Sequence, residues 1–162
     1  MKRLKLVSRT PAETRRLGEA FGRAAQPGDL LLLDGPFGAG KTVFVQGLAA
    51  GLDVQAYVSS PSFIMINEHH GRLPLFHVDL YRIEGRLDPE TLDALEDYLG
   101  RDGICAIEWP GLVPPPLRLG GSELRFAPSG DTTREITIDT PSDRLATAAR
   151  DAGAAPAAET RD

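Results

Sequence analysis

A glycine-rich segment at residues 35–42, with the sequence G-P-F-G-A-G-K-T, carries the groups needed to hold a chain of phosphates. It matches the pattern G-x-x-x-x-G-K-[ST], in which a tight turn directs backbone N–H groups at anionic oxygens. Lys41 is expected to place its ammonium among the phosphate oxygens, and Thr42 to offer its hydroxyl to Mg²⁺. The segment therefore predicts binding of a nucleoside triphosphate. Its candidate cofactor-binding residues are Gly35, Pro36, Phe37, Gly38, Ala39, Gly40, Lys41, Thr42 and Val43.

The residues on either side of this loop predict the strand and the helix that it requires. Residues 29–34 form a short apolar run, which is typical of a strand buried on both faces. After the loop, Phe44, Val45, Leu48 and Leu52 recur at helical spacing, and Gly51 lies near the predicted end of the helix. This context favours a true phosphate-binding loop over an incidental glycine-rich turn.

Two carboxylates at the ends of predicted strands are candidates for chemistry at the γ-phosphate. Asp79 follows the mainly apolar run 75–78, and Glu108 follows the apolar run 104–107. Ligands of open α/β sheets lie beyond the carboxyl ends of parallel strands, so both acids are expected near the loop. Hydrolysis needs Mg²⁺ and a group that orients the attacking water. We assign Asp79 to the Mg²⁺ shell, directly or through water, and Glu108 to water orientation or a second metal contact, with exchanged roles left open. The catalytic candidates are thus Lys41, Asp79 and Glu108, and the metal candidates are Thr42, Asp79 and Glu108.

Other polar and aromatic residues cluster near the same strand ends. Ser62 lies where a nucleotide-sensing loop is expected, and its hydroxyl can complete an Mg²⁺ shell, although a plain Ser-Pro turn is the competing interpretation. His77, Asp79 and Tyr81 alternate along one strand and are predicted to project from one face, with His77 suited to orienting Asp79 or Tyr81. Trp109 is a candidate cofactor contact, although the sequence alone favours packing in the core.

Length and composition limit the class of protein. A chain of 162 residues with a single cysteine predicts one domain without disulfides, suited to a reducing compartment. No signal-peptide pattern and no run of about 20 apolar residues is visible, so a cytoplasmic protein without membrane contact is expected. The net charge of -5 disfavours a broad nucleic-acid-binding face. Any role with RNA is therefore expected to pass through a partner.

The pattern along the chain predicts an α/β fold: a P-loop NTPase-like, mainly parallel sheet flanked by helices, with antiparallel strand additions. Helices are expected after the capping residues Thr10 and Asp88, each followed by proline. An antiparallel pair is expected around the turn at residues 71–72, and a terminal hairpin around residues 129–131. Residues 114–116, three prolines, are expected to form an extended connector. The predicted domain covers residues 1–145, and the Ala-rich residues 146–162 are expected to form a disordered tail.

Four segments in this order, G-P-F-G-A-G-K-T, S-P-S-F, H-V-D-L-Y-R and I-E-W-P, resemble the TsaE (YjeE) family of small bacterial ATPases. The resemblance covers residues 10–110. It implies Mg²⁺-dependent ATP binding, weak ATP hydrolysis, and a role in making threonylcarbamoyladenosine in tRNA. It also implies docking onto the TsaB and TsaD proteins, with contact to tRNA only indirectly. The ATPase would then support turnover of the transferase assembly.

Two departures from the family pattern and three alternatives accompany this resemblance. The family usually has threonine where this chain has Ser62. It usually has an acid and leucine where this chain has Pro36 and Phe37, and phosphate binding requires no side chain at these two positions. A small P-loop kinase and a nucleotide-gated binding module without turnover remain as alternatives. A GTPase is disfavoured because no Asn-Lys-x-Asp segment occurs in the sequence.

Overall fold

The structure is a computed structural model that describes residues 1–55, 66–152 and 155–156. Its helices are α1 (Pro11–Ala24), α2 (Lys41–Gly51), α3 (Pro89–Leu99) and α4 (Asp143–Asp151), with 3₁₀ turns at Pro110–Leu112 and Pro115–Arg118. Its strands are β1 (Lys2–Ser8), β2 (Leu30–Asp34), β3 (Ile66–His70), β4 (Pro74–Asp79), β5 (Ile104–Glu108), β6 (Ser122–Pro128), β7 (Arg134–Thr140) and β8 (Ala155–Pro156). None of these helices is long and apolar enough to cross a bilayer.

All described strands belong to one sheet with the order β3-β4-β5-β2-β6-β7-β1-β8. The four central strands, β4, β5, β2 and β6, run parallel to one another. The strands on either side pair antiparallel with their neighbours. The predicted α/β class, parallel in the centre with antiparallel additions, is therefore confirmed.

The central strand β2 is buried on both faces, as its apolar run predicted. Leu31 and Leu33 face a core that includes residues of α1, α2 and α4, whereas Leu30 and Leu32 face a second core with Leu95 of α3. The leucines of β2 are all 7% exposed or less. The loop that follows β2 is therefore anchored to a buried central strand of the sheet.

The predicted helix starts are confirmed in atomic detail. The Thr10 hydroxyl accepts a hydrogen bond from Glu13 N at 3.2 Å, and the Asp88 carboxylate accepts one from Thr91 N at 2.7 Å. The bond to Asp88 satisfies an N–H that the first helical turn leaves without a backbone partner, whereas Glu13 N also donates to the Thr10 carbonyl at 3.1 Å. The bond from Thr91 also holds the pKa of Asp88 below its usual range.

Glycines let α1 and α2 approach until their backbones touch. A Cβ placed on Gly47 of α2 would lie 2.0 Å from the Arg15 carbonyl oxygen of α1. A Cβ on Gly18 or Gly22 of α1 would lie 2.1 or 2.3 Å from carbonyl oxygens of α2. Since α2 begins at the last residues of the phosphate-loop motif, this contact fixes the position of that loop relative to α1.

The expected disordered tail from residue 146 is wrong for residues 146–151, which belong to α4. Ser142 caps this helix by accepting from Leu145 N at 3.2 Å, and Leu145, Ala146 and Ala149 are buried against the α1 side of the sheet. Arg144 adds an ion pair with Asp29 at 2.9 Å. Small alanines suffice here because the helix lies close to its neighbours. Residues 153–154 and 157–162 lie outside the described residues.

The polyproline segment is only partly extended. Pro114 is extended, with φ -59° and ψ 143°, but Pro115 starts a 3₁₀ turn that continues to Arg118. The fixed φ of proline suits the first position of such a turn, where its missing N–H has no cost. The expectation of an extended connector through residue 116 is therefore corrected.

Candidate functional site

The glycine-rich loop joins the carboxyl end of β2 to the start of α2 and depends on three left-handed or unusual glycine conformations. Gly35, Gly38 and Gly40 have φ values of 147°, 75° and 103°. A Cβ on Gly35 would also lie 2.6 Å from the Phe126 carbonyl oxygen of β6. Side chains at these positions would be strained or would clash, so the loop shape requires glycine.

The amino end of α2 faces the inside of this loop. Gly40 is the N-cap residue and has no side chain, so it leaves the first-turn N–H groups of the helix available to an external acceptor. These groups and the helix dipole together favour an anion. On the outer side of the loop, Arg134 of β7 donates to the Gly38 carbonyl at 3.3 Å, which ties the loop to the β6–β7 hairpin.

Lys41 is a buried cation at the base of the loop, only 4% exposed. Its Nζ donates to the Gly35 carbonyl oxygen at 2.5 Å and lies 3.4 Å from the centroid of the Trp109 ring. Burial lowers the pKa of Lys41, while the nearby charge of Glu108 acts in the opposite direction. The ammonium thus has polar and aromatic contacts but is not fully compensated by negative charge.

Glu108 lies at the end of β5 and is shared between two side chains. The Thr42 hydroxyl donates to Glu108 Oε1 at 3.1 Å, with Oε2 at 3.4 Å. His77 Nε2 lies 2.5 Å from Glu108 Oε2. The carboxylate is 2% exposed and therefore belongs to the floor of the site.

Asp79 occupies the neighbouring strand end. Asp79 and Glu108 are paired in the parallel register of β4 and β5, which brings both acids to the same edge of the sheet. Asp79 accepts from Tyr81 N at 2.9 Å and is partly exposed. The two acids therefore differ: Glu108 is buried beside Thr42, and Asp79 is open to the cleft.

Three aromatic residues form one wall of the site. The Tyr81 ring contacts those of Trp109 and Phe37 in tilted geometry, with ring centroids 5.0 Å and 5.8 Å apart. Phe37 is 82% exposed. Trp109 has φ 57°, a left-handed conformation that is uncommon for a bulky residue and turns its ring beneath Lys41. The cleft has a volume of about 260 Å³. It is lined by Phe37, Gly38, Ala39, Gly40, Lys41, Thr42, Val43, Asp79, Tyr81, Glu108 and Trp109.

The structure brings most of the sequence-predicted residues into this one cleft. Gly35 and Pro36 lie in the loop that shapes it, and Ser62 lies outside the described residues. Trp109 lines the cleft and, partly buried, also packs against the core on the α3 side of the sheet, as sequence alone favoured. His77 was expected to orient Asp79 or Tyr81, and the residue whose carboxylate it contacts is instead Glu108. The chemical roles of these residues stay predictions.

Arg134 and the ring contact between Phe37 and Tyr81 are features that sequence reasoning missed, although it placed both aromatic residues near the site. Arg134 is 96 residues from Gly38, and no local pattern reports their contact. The exposed Phe37 could have been singled out because an aromatic residue at a loop tip has no core to occupy. Cys105 is buried, and burial raises the pKa of its thiol to about 12, which leaves it unsuited to nucleophilic chemistry.

The fold and the cleft together define an α/β protein in which a glycine-rich loop joins the central parallel strand to a helix at the carboxyl edge of the sheet. Within that class, the family model described as "Threonylcarbamoyl adenosine biosynthesis protein TsaE" matches residues 8–136. The chain therefore belongs to the TsaE family.

Curated relatives and a solved structure agree with this membership. The chain is 39% identical over 139 residues to the tRNA threonylcarbamoyladenosine biosynthesis protein TsaE of Bacillus subtilis (strain 168), a match that covers 85% of this chain and 86% of the relative. It is 38% identical over 135 residues to the protein of the same name from Treponema pallidum (strain Nichols), covering 83% and 99%. The crystal structure of Bacillus subtilis YdiB superposes with a TM-score of 0.76 at 34% identity, covering 93% of this chain and 94% of YdiB.

Proposed function

We propose that this protein is a cytoplasmic Mg²⁺-dependent ATPase subunit that acts in tRNA threonylcarbamoyladenosine biosynthesis. It would bind and slowly hydrolyse ATP to support turnover of a TsaB–TsaD threonylcarbamoyl transferase complex. Membership of the TsaE family supports the pathway. The observation that carries the ATPase activity is the meeting of Lys41, Thr42 and Glu108 in one cleft.

The loop fits a polyphosphate because it offers N–H donors and a positive charge that the nearby carboxylates do not fully offset. The amino end of α2 supplies N–H groups, and Lys41 supplies a buried ammonium whose pKa is lowered by burial. A phosphate chain would bring the negative charge that offsets this desolvation. Lys41 would move from the Gly35 carbonyl to phosphate oxygens, while Trp109 remains as the surface beneath it.

The donor set at the floor of the cleft fits Mg²⁺, which prefers oxygen ligands and is usually held by one or two carboxylates together with phosphates and water. The Thr42 hydroxyl and the Glu108 carboxylate are hydrogen-bonded to each other, so both lie where one ion could reach them. The described ranges contain no group of three or more Asp, Glu, His or Cys side chains that could hold a metal ion, so phosphate and water would have to supply further ligands. Bound Mg²⁺ would neutralise phosphate charge.

These contacts favour an assignment of the two acids opposite to the one first preferred from sequence. Glu108 is the acid beside Thr42, so we propose that it holds Mg²⁺, directly or through water. Asp79 is partly exposed on the neighbouring strand, and we propose that it orients the attacking water. Asp79 would then act only when a nucleotide fills the cleft between Asp79 and Glu108.

Phosphate release measured with and without TsaB, TsaD and tRNA tests the proposed function. We expect slow release by the protein alone and stimulation by the TsaB–TsaD pair. Transfer of phosphate to a small acceptor would favour a kinase, and nucleotide binding without release under any condition would favour a gated binding module. The net charge of -5 predicts little direct affinity for tRNA.

Substitutions at the two acids and at the hydroxyl separate their roles. Thr42→Val and Glu108→Gln are expected to reduce the Mg²⁺ dependence of ATP binding, whereas Asp79→Asn should lower turnover by about 100-fold or more with binding retained. Thr42→Ser, which keeps the hydroxyl, is the matched control for Thr42→Val. An Asp79→Asn protein that loses Mg²⁺-dependent binding while Glu108→Gln keeps it would restore the reverse assignment.

A further inference from the structure

We propose that His77 is a positioning residue that holds the Glu108 carboxylate in place before nucleotide arrives. The proposal rests on the proposed function, since it concerns the acid assigned above to Mg²⁺. His77 itself would contact neither phosphate nor metal. Its role would be to fix one oxygen of Glu108 so that the other is presented beside Thr42.

The two side chains meet through the parallel pairing of β4 and β5. In that register His77 lies opposite Ala106, two residues before Glu108, so its ring reaches diagonally along the sheet to the carboxylate. His77 is 0% exposed, and its Nε2 lies 2.5 Å from Glu108 Oε2. A contact this short and this buried fixes the orientation of both side chains.

The direction of the hydrogen bond follows from the chemistry of the acceptor. A carboxylate carries no proton and can only accept, so the imidazole must donate from Nε2. Glu108 thereby receives two bonds, from His77 at Oε2 and from the Thr42 hydroxyl at Oε1. His77 leaves Oε1 facing the loop.

The other ring nitrogen of His77, Nδ1, indicates which of the two nitrogens donates a hydrogen bond. His77 Nδ1 is buried and has no hydrogen-bond partner among the described residues. A proton on Nδ1 would be a donor buried without an acceptor, which costs more than a bare lone pair in the same place. Nε2 is therefore the nitrogen through which His77 donates to Glu108, and Nδ1 makes no competing hydrogen bond among the described residues.

Holding the acid in advance matters because a glutamate side chain has several rotatable bonds. Without His77, Glu108 would have to give up that freedom when the metal and nucleotide bind. Partners that orient a metal-binding group typically affect metal affinity by about 10- to 100-fold. The same range is expected here for the gain in nucleotide affinity that Mg²⁺ provides.

The first test compares two substitutions of His77 by amides. The amide nitrogen of Gln reaches the place of Nε2 and keeps the donor, whereas that of Asn reaches only the place of Nδ1. Binding of ADP is measured by calorimetry with Mg²⁺ and again with EDTA. We expect His77→Asn to weaken Mg²⁺-dependent affinity by about 10- to 100-fold with little change in EDTA, and His77→Gln to remain within about 3-fold of the wild type.

Three results of this test would overturn the proposal. The first is an ADP affinity of His77→Asn equal to that of the wild type, and the second is an equal loss of ADP affinity in His77→Asn and His77→Gln. The third is an equal weakening of ADP binding with Mg²⁺ and with EDTA, which would indicate that His77 is purely structural. In a Glu108→Gln background, His77→Asn should add no further loss, because the carboxylate that it positions is absent. A further loss as large as that in the wild-type background would also contradict it.

A second measurement uses the protein without metal or nucleotide and needs no variant of His77. Nitrogen-15 NMR of the His77 imidazole should show a proton on Nε2 that is shifted by the Glu108→Gln substitution. Absence of a proton from Nε2, or no response to that substitution, would refute the contact even if His77→Asn failed to fold. If the wild type showed no Mg²⁺-dependent nucleotide binding, the proposed function would fail, while this spectrum would still decide whether His77 positions Glu108.

Discussion

At the scale of single residues, the cleft is organised around a lysine that is buried before its ligand is present. Lys41 is held by the Gly35 carbonyl and the face of Trp109, contacts that orient the ammonium without neutralising it. Such a cation is ready for phosphate because its desolvation has already taken place during folding. The free-energy cost of removing the ammonium from water appears as a lowered pKa of Lys41.

Polyphosphate binding is therefore predicted to raise the pKa of Lys41. In the free protein burial lowers this pKa below 10.5, and the negative charge of a bound ligand favours the protonated form. Since the protonated form binds, nucleotide affinity should be full below the lowered pKa and should fall as pH rises through it. NMR titration of Lys41 with and without MgADP measures the change.

Adenosine is the control for this titration, because it has the base and sugar of the nucleotide but no phosphate. We expect no rise in the pKa of Lys41 with adenosine. An equal rise with adenosine and with MgADP would show that ring contacts, rather than phosphate, act on the ammonium, and the assignment of Lys41 to the phosphates would be withdrawn.

The individual residues of the cleft could be predicted from sequence to different extents. The roles expected for the loop residues come from one contiguous motif, and that motif pointed directly to Lys41 and Thr42 as residues of the cleft. The partner of His77 could not be found, because Glu108 is 31 residues away and the contact depends on the register of two strands. Alternation along a single strand pointed to Asp79 and Tyr81 instead, since it carries no information about the neighbouring strand.

At the scale of elements, the position of the loop depends on the close contact of α1 and α2. Under the proposed function, the start of α2 would hold phosphate only while the helix keeps its place against the sheet. Glycine backbones provide that closeness, and the edge-to-face contact of Phe21 and Phe44, with centroids 5.4 Å apart, packs beside them. Stability and ligand binding are thus linked through one helix pair.

Gly47→Ala is predicted to destabilise the protein by about 3 kcal/mol, because overpacking against a rigid neighbour typically costs about 1–3 kcal/mol and here the neighbour is backbone. The added Cβ would lie 2.0 Å from the Arg15 carbonyl oxygen. Alanine favours a helix over glycine by only about 1 kcal/mol, so the clash outweighs the gain. Urea unfolding measures the difference, and calorimetry should show weaker nucleotide binding as α2 shifts.

Gly111→Ala is the matched control for this substitution, since a Cβ at Gly111 would have no described heavy atom within 4 Å apart from those of its two chain neighbours. We expect its free energy of unfolding to stay within about 0.5 kcal/mol of the wild type. Equal stability of Gly47→Ala and Gly111→Ala would mean that the two helices can separate without cost, contrary to the packing described above.

Most elements could be predicted because their boundaries are marked locally. Thr10-Pro11 and Asp88-Pro89 combine a capping side chain with proline at the first helical position, and both helices begin there. Helix α4 was missed because alanines contribute little to an apolar pattern. Ser142, followed three residues later by Leu145, was the available signal for its start.

At the scale of the whole molecule, the site is a product of the strand order. β2 lies between β5 and β6, and β5 lies next to β4, so the loop after β2 and the acids ending β4 and β5 converge at one edge. The backbone bonds from Trp109 N to Leu33 O and from Leu80 N to Glu108 O, both 3.2 Å, hold these strand ends together. The sequence predicted the individual residues and elements of the site, whereas their positions next to one another could be known only from the order of the strands.

Because ligand groups come from three central strands, MgATP is predicted to stabilise the whole protein against unfolding. At a free concentration 100 times its dissociation constant, a ligand that binds only the folded state adds about 2.7 kcal/mol. For a chain of this size the corresponding rise in melting temperature is about 5–10 °C. Thermal unfolding with MgATP, with ATP plus EDTA, and without ligand measures this effect.

Lys41→Met should abolish most of the rise in melting temperature, while Lys5→Met, at an exposed position on β1, should keep it. A full rise in the Lys41→Met protein would mean that nucleotide binds elsewhere, and a full rise with EDTA would mean that Mg²⁺ adds nothing to binding at this cleft.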